Sequence, residues 1–571
     1  MYGYRNNEPR ESLIFLVNTE ATNEGDTEFV VPVYSFNSFG PDEQSLTAIT
    51  IDWGDGSVSE IPKGTEFYSQ YWNKYSTHDY ATPGEYTVTV YADDFSVCKL
   101  HGYDINQSEW NVYRRTLIGI GPKGAESYSL PVFRHDGLSY AFYSCKKLTQ
   151  IPKGIFDKNV DATTFENTFY YCLGLTGALP EDLFAKNTKV ESFASTFYSC
   201  ENITSIPENL FANCPKVYKF DSVFNGCDGL TEIPENLFAN NPNVTSFDRV
   251  FSNCTGLTGP IPENLFAHNT IAYTFDRLFY FDENITGSIP ENLFANNRKA
   301  GTFVSAFYGC KGLTGSLPAG LFANCPEVIS FEATFYECEK LTGAIPENFF
   351  ANCTKVQTFS DTFRFCNRLT GTIPENLFAN CPEVTDFSGC FYGCRGLTGS
   401  VPEGLFAHNP LAAIFSGLFR TCNLNGPIPE NLFANCPELT DLDSVFYGCD
   451  FNGSIPAKLF ANNPKLKNLA YAFYSLNTLE GAIPEGLFDN NPALDDVEMM
   501  FDGCTNLTTL PTNLFVNNPN IKDFHQTFEN CYKLVGTAPD LWVTHPDANG
   551  TECFRNCSKL TNYADIPDDW K

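Results

Sequence analysis

The sequence predicts a solenoid of short coils preceded by a small all-β domain. Three observations carry that expectation. An apolar residue followed by Pro recurs every 27 or 28 residues from Pro152 to Pro567; each such unit divides into two similar halves; and residues 10 to 100 lack the repeat and alternate apolar with polar positions. A chain of 571 residues outgrows one ordinary core, and a repeat array solves that problem without a larger core.

The repeat comes first because it sets the architecture. Its Pro steps fall at Pro152, Pro180, Pro207, Pro234 and onward at the same spacing, a period that chance does not sustain over four hundred residues. In one unit the first half reads Leu230-x-x-Ile233-x-x-x-Leu237-Phe238-x-x-Asn241 and the second Val244-x-x-Phe247-x-x-Val250-Phe251-x-x-Cys254. Each half reads as a short extended rung followed by a helical or 3₁₀ turn. Pro234-Glu235 suits a helix start, where the missing N–H is not needed and a carboxylate faces the dipole, and Pro242 stops the turn. A single coil cannot bury its apolar face alone, so stability has to come from stacking. The expected solenoid runs over 139–540. The irregular segment 541–571, with Trp542, His545, Cys553, Cys557 and Trp570, is expected to cap it.

Two residue types fill the same slots repeatedly. There are 52 Phe against three Met, and 22 Cys fall mainly into columns. One column holds Cys145, Cys172, Cys200, Cys227 and their successors; a sparser one holds Cys214, Cys325, Cys353, Cys381 and Cys436, alternating with Asn241, Asn269 and Asn297. A bridge partner does not exchange with Asn. Buried thiols and amides that satisfy tight inner turns are therefore expected, with a few bridges near the C-terminus as the alternative.

The N-terminal region divides into an arm (1–9), a β domain (10–100) and a connector with the N-terminal cap (101–138). Strand-like runs include 29–34 and 86–91, and two motifs stand out: Ile49-Thr50-Ile51-Asp52-Trp53-Gly54-Asp55-Gly56 and His78-Asp79-Tyr80-Ala81-Thr82-Pro83-Gly84-Glu85-Tyr86. Together these motifs resemble the PKD family, which implies an immunoglobulin-like β-sandwich serving as a spacer or contact module. Asp52 and Asp55 are candidate calcium ligands, and turn formation beside Gly is their other role. The Leu-Thr-x-Ile-Pro-Glu-Asn-Leu-Phe and Phe-x-x-Cys-x-x-Leu elements over 139–540 resemble BspA-like leucine-rich repeats of bacterial surface proteins. That resemblance implies a leucine-rich-repeat-type solenoid used for adhesion to proteins or glycans, in Bacteroidetes or their phages, and no common chemistry.

The remaining features bear on function. A formal charge of −32 repels phosphate backbones and anionic membranes, so neither nucleic acid nor membrane insertion is expected. The apolar run Leu13–Val17 is too short for a secretory signal, which points to a virion route or to a signal lying outside this sequence. No HExxH, GxSxG, phosphate loop or Cys-His signature appears, so neither an enzyme nor a cofactor is expected. One column invites a ligand: beside the Phe of each Phe-x-x-Cys element stand Tyr143, Tyr170, Tyr198, Tyr308, Tyr336, Tyr392, Tyr447 and Tyr474. Stacked coils would align them as an aromatic strip suited to sugar rings or a protein partner, broken at Asn225, Ser252, Arg364, Asp502 and Glu529. A partly buried structural ladder is the other reading. The expected role is extracellular recognition of a host-surface protein or glycan, by a virion appendage or surface protein. A structural virion component docking through its N-terminal domain, or a secreted adhesin, is the alternative.

Overall fold

The computed structural model describes residues 11–19, 28–34, 45–65, 76–100 and 115–571; the expected arm 1–9 and part of the connector (101–114) lie outside them. The chain forms two compact units, Met1–Ala272 and Tyr273–Lys571.

Unit one opens with β strands. In chain order they are β1 (Ser12–Asn18), β2 (Glu28–Val30), β3 (Val33–Tyr34), β4 (Ile49–Asp52), β5 (Val58–Ile61), β6 (Thr77–Asp79), β7 (Glu85–Ala92), β8 (Lys99–Leu100) and β9 (Leu117–Ile120). Five of them make an antiparallel sheet in the order β5-β4-β7-β1-β9, while β2 pairs with β6 and β3 with β8. The period-2 pattern of β1 places Leu13, Phe15 and Val17 inward, and Phe15 meets Phe29 of β2 at a centroid distance of 5.8 Å, joining the two layers. Pro32 separates β2 from β3, because it has no N–H for a ladder. β9, in the segment read as connector, takes an edge of the large sheet.

The β4–β5 turn explains its own motif. Asp52 Oδ1 accepts from Gly54 N at 3.0 Å, Asp55 Oδ1 accepts from Ser57 N at 2.9 Å, and Gly54 sits at φ +80 where a Cβ would stand 2.5 Å from Thr87 O. His78 Nε2 lies 2.7 Å from Asp55 Oδ2, and its ring stacks on the buried Trp53 at 5.0 Å. Although burial opposes it, hydrogen bonds from Ser57 and the neighbouring His78 hold the Asp55 carboxyl down at about 2. Both candidate calcium ligands thus serve the turn; among the described residues no group of three or more His, Cys, Asp or Glu is arranged to hold a metal.

The β layers lead straight into the first coil of unit one. Leu100 N donates to Gly137 O, Arg134 N to Cys98 O, and Tyr128 Oη to Ser12 O. Coils then stack at the expected period, joined by parallel bridges such as Thr164 to Ser192, Ser192 to Lys219 and Lys219 to Ser246. Unit two repeats the arrangement, with bridges from Thr302 to Ser330 to Thr358 to Asp386. In both units the apolar positions read from the two half-repeats are buried, including Leu230, Leu237, Phe238, Phe247 and Phe251.

The half-repeats differ from expectation in backbone. Residues 139–540 contain no helix; each half is a run of hydrogen-bonded turns. In the second half the amides alternate in direction. Those of Phe331, Ala333, Phe335 and Glu337 donate to Thr358, Ser360, Thr362 and Arg364 of the following coil, while those of Thr334, Tyr336 and Cys338 turn back three residues to Phe331, Ala333 and Phe335. The turn-back bonds are of the 3₁₀ type that the sequence predicts. Ala333 and Glu337, however, sit at φ 51 and 56, and a left-handed residue every fourth position stops a helix from propagating. Stacking compensates for that strain, since the second half of each coil gives every other amide to the next coil.

Phe and Cys fill the interior as read. Rings stack coil on coil, as at Phe303–Phe331 (5.9 Å, 4°) and Phe331–Phe359 (5.8 Å, 7°), and in unit one at Phe165–Phe193 (5.8 Å, 8°). All 22 cysteines are buried and unbridged. Their thiols donate to the preceding coil: Cys172 Sγ to Phe142 O at 3.0 Å, Cys338 Sγ to Phe307 O at 3.1 Å, Cys394 Sγ to Phe363 O at 2.9 Å. In the second column Asn241 Nδ2 reaches Phe211 O (3.1 Å) and Cys214 O (2.8 Å), so Cys and Asn exchange because both carry a donor aimed at the same carbonyls. Burial pushes thiols such as Cys381, Cys422 and Cys504 up to about 12. The native chain is therefore expected to leave nearly all 22 thiols unlabelled by a thiol-disulfide reagent at pH 8 and to expose all of them in denaturant. Rapid labelling of several thiols in the folded chain would contradict this packing.

The end of unit two closes the stack. A four-residue helix, Leu541–Thr544, leads to His545, whose Nε2 lies 3.0 Å from Asn518 O and so takes the place of the Cys/Asn column. The amides of Glu552 and Phe554, which would serve another coil, donate to Asp569 O and Trp570 O, and Trp570 lies over Gly550.

Candidate functional site

The tyrosine column is built by the turn geometry just described. Each column residue follows the second-half Phe and precedes the left-handed position, so its side chain stands at the same place on every coil. All eight candidates are half-buried. In unit one Tyr143, Tyr170 and Tyr198 stack face to face, at 4.6 Å and 4° and then 4.5 Å and 8°. In unit two Tyr308 stacks on Tyr336 (4.3 Å, 7°) and Tyr447 on Tyr474 (4.5 Å, 11°). Burial, helped by the neighbouring rings Tyr143 and Tyr198, pushes the Tyr170 phenol up to about 12.

Two features of the column escaped the sequence reading. Tyr280 belongs to it, packing on Tyr308 at 4.9 Å. Moreover, Arg364 does not break the column. Its guanidinium lies 5.3 Å from the Tyr336 centroid and 4.2 Å from that of Tyr392, and Arg420 lies 5.4 Å from Tyr392 and 4.1 Å from Tyr447. A planar guanidinium stacks on a ring as another ring does, so Tyr280, Tyr308, Tyr336, Arg364, Tyr392, Arg420, Tyr447 and Tyr474 form one unbroken ladder. The signal was in the sequence at Phe279-Tyr280 and Phe419-Arg420, in the same register as the other pairs. Asp502 and Glu529 continue the register without rings.

The stacking changes what the ladder can bind. Ring faces are covered by the next rung, so a ligand meets ring edges, hydroxyls and guanidinium N–H groups rather than flat platforms. Beside the rings stand carboxylates. Asp361 Oδ1 accepts from Arg364 Nη1 at 3.1 Å, Arg420 Nη1 donates to Ser444 Oγ at 3.3 Å, and Ser444 Oγ donates to Asp443 Oδ1 at 3.0 Å. Burial raises the pKa of Asp361 and Asp443, partly offset by these hydrogen bonds, and that of Asp441 and Asp496, partly offset by the backbone N–H groups of Asp443 and Glu498.

No protein-family description matches the sequence, and no curated protein is similar to it. Among solved structures the chain is similar to the Arabidopsis receptor kinase HAESA in complex with the peptide hormone IDA and the co-receptor SERK1 (18% identity, 72% of this chain and 74% of that one, TM-score 0.30). It is also similar to the HAESA LRR ectodomain in complex with an N-terminally extended IDA peptide (18%, 66% and 76%, 0.21). A third is TLR13 in its complex with ssRNA13 (12%, 74% and 82%, 0.18). TM-scores this low fix neither the path of the chain nor a ligand. Among the described residues no helix is long and apolar enough to cross a membrane.

Proposed function

We propose that the chain is a non-enzymatic recognition protein of the leucine-rich-repeat type that binds a surface-borne protein or glycan through the tyrosine–arginine ladder. The observation that carries this is the ladder itself, which repeats a polar edge of phenol and guanidinium groups coil after coil on a stack made rigid by backbone bonds. A ligand that spans several coils gains affinity from many modest contacts already held in place. The five-stranded sheet and the Asp52–Gly56 turn support a PKD-like N-terminal module used for attachment, and the repeat motifs support a BspA-like role on a virion or a bacterial surface.

An array carrying both glycans and cell-surface proteins, probed with the full chain, tests the reading. Saturable binding is expected, weakened at least tenfold by Tyr336→Ala with Tyr447→Ala while the thermal midpoint stays within a few degrees. A chain that binds no member of either class sinks it. Detection of the protein in purified phage particles would separate the virion version from the cell-surface one.

A further inference from the structure

The first half-repeats of unit one carry an irregularity of length. Leu175-Thr176-Gly177-Ala178-Leu179-Pro180 has one residue more than Leu148-Thr149-Gln150-Ile151-Pro152 before it and Ile203-Thr204-Ser205-Ile206-Pro207 after it. Gly177 takes up the extra residue at φ 81, and the pairing of Gly177–Ala178 with Ile203–Ser205 shifts register there. In unit two such bulges follow one another, and the side chain after one bulge fills the step beside the next. A Cβ at Gly315 would meet Ser288 Cβ at 3.2 Å, and one at Gly343 would meet Ser316 Cβ at 3.1 Å. Gly177 follows a coil without a bulge, and a Cβ there would meet nothing within 4 Å. The step stays open as a groove of about 760 Å³ across adjacent coils, with the buried Ile151, Leu179 and Ile203 in its floor.

Four charged side chains line the groove at its exposed rim: Glu126, Lys153, Glu181 and Asp182. Two of them are held side by side, since Lys153 N donates to Glu126 O at 3.1 Å. Among the described residues none of the four side chains has a hydrogen-bond or ion-pair partner. Farther along the chain the same columns satisfy each other, where Asn236 Nδ2 donates to Glu208 Oε1 and Asn264 Nδ2 to Glu235 Oε1, both at 2.7 Å. Lys153 follows its Pro as Glu208 does, and Asp182 stands second after its Pro as Asn236 does, so the groove departs from the pattern at both ends of that bond. Three carboxylates outnumber one ammonium, which turns away an acidic ligand, and among the described residues no three acids are arranged to hold a metal. A lysine or arginine side chain suits both parts, with an apolar stem for the floor and a head that only donates for the carboxylates. The Lys153 ammonium, itself a donor, suits a carbonyl oxygen of the segment that carries such a side chain.

We infer that this groove docks a basic segment of a protein partner, with a lysine or arginine stem on Ile151, Leu179 and Ile203 and its charged end among Glu126, Glu181 and Asp182. The site is separate from the ladder, which belongs to the second half-repeats, so either can fail without the other.

The test uses the full chain with ¹³C-labelled isoleucine methyls and follows their NMR shifts. The probes are the peptide acetyl-Gly-Lys-Leu-Lys-Gly-amide, its counterpart with Glu in place of both Lys, and the neutral sugar maltotriose. The basic peptide is expected to shift Ile151 and Ile203 saturably, and to leave Ile373 and Ile428, which hold the same place in coils of unit two, unmoved. Its affinity should fall at least threefold between 0.01 and 0.15 M salt, as the screening length drops from about 30 to about 8 Å. Glu181→Lys with Asp182→Lys reverses the rim charge in columns that already carry Lys153 and Lys458, so it should fold normally and lose at least tenfold in affinity. Ala178→Trp, at an exposed position that lines the groove, keeps every charge and should lose binding by filling the space. Tyr336→Ala with Tyr447→Ala should change nothing here. No shift at Ile151 and Ile203 with the basic peptide, equal shifts at Ile373 and Ile428, equal or tighter binding of the acidic peptide or maltotriose, or full binding by A178W would each overturn the groove while leaving the ladder reading intact.

Discussion

Phe331→Ala is expected to lower the stability of unit two by about 3–5 kcal/mol, the usual range for removing a fully buried aromatic ring. Phe331 is wholly inaccessible. It is stacked between Phe303 and Phe359 and tilted against Phe322 and Phe350 at 4.6 and 4.7 Å. Four rings lose a partner together, and the backbone bonds from Phe331 and Phe335 to the following coil limit how far the coils can collapse into the gap. In a stack, each coil is held chiefly by its two neighbours, so the damage should be local. Denaturant unfolding followed by circular dichroism should therefore show a reduced m-value or a split transition, not a uniform shift. Phe331→Leu, which refills most of the volume, should cost about 1–1.5 kcal/mol. A loss below about 1 kcal/mol for the alanine variant would mean the Phe columns are not the core.

The stack was legible in the sequence because its cause is periodic. A residue buried against its own counterpart must recur at the coil period, which is why Phe247, Phe251 and Cys254 announced their positions before any coordinates. The backbone was less legible. Ser195, Ala333 and Met499 all sit in the left-handed region, and none is a residue whose chemistry advertises that conformation, so a helical turn was the natural reading of the first Pro and the i→i−3 spacing. The ladder was half legible. Tyrosines were found by type, but Arg364 read as an interruption because stacking depends on planarity and not on hydrophobicity.

The second large effect is expected at the Cys/Asn column. Asn409 is fully buried, and its Nδ2 donates to Phe378 O at 3.2 Å and to Cys381 O at 2.8 Å, while its Oδ1 has no partner. Asn409→Cys gives up one donated bond and removes the orphan acceptor; each is worth about 1 kcal/mol, so the change should be close to neutral. This balance accounts for the free exchange of the two residues between Cys381, Asn409 and Cys436. Asn409→Asp has nearly the same shape and the opposite consequence. It sets a carboxylate against two carbonyl oxygens in a fully buried site, and the loss at pH 7 should be at least about 3–5 kcal/mol. Burial raises the folded-state pKa of such a group above its unfolded value of about 3.9, so the penalty is full above the folded pKa and is relieved as pH falls toward 4. The gap between the denaturation midpoints of Asn409→Asp and wild type should accordingly shrink from pH 7 to pH 5 and close further toward pH 4, while that of Asn409→Cys stays put. Equal, pH-independent losses in both variants would show that the column is held by shape alone and not by its donors.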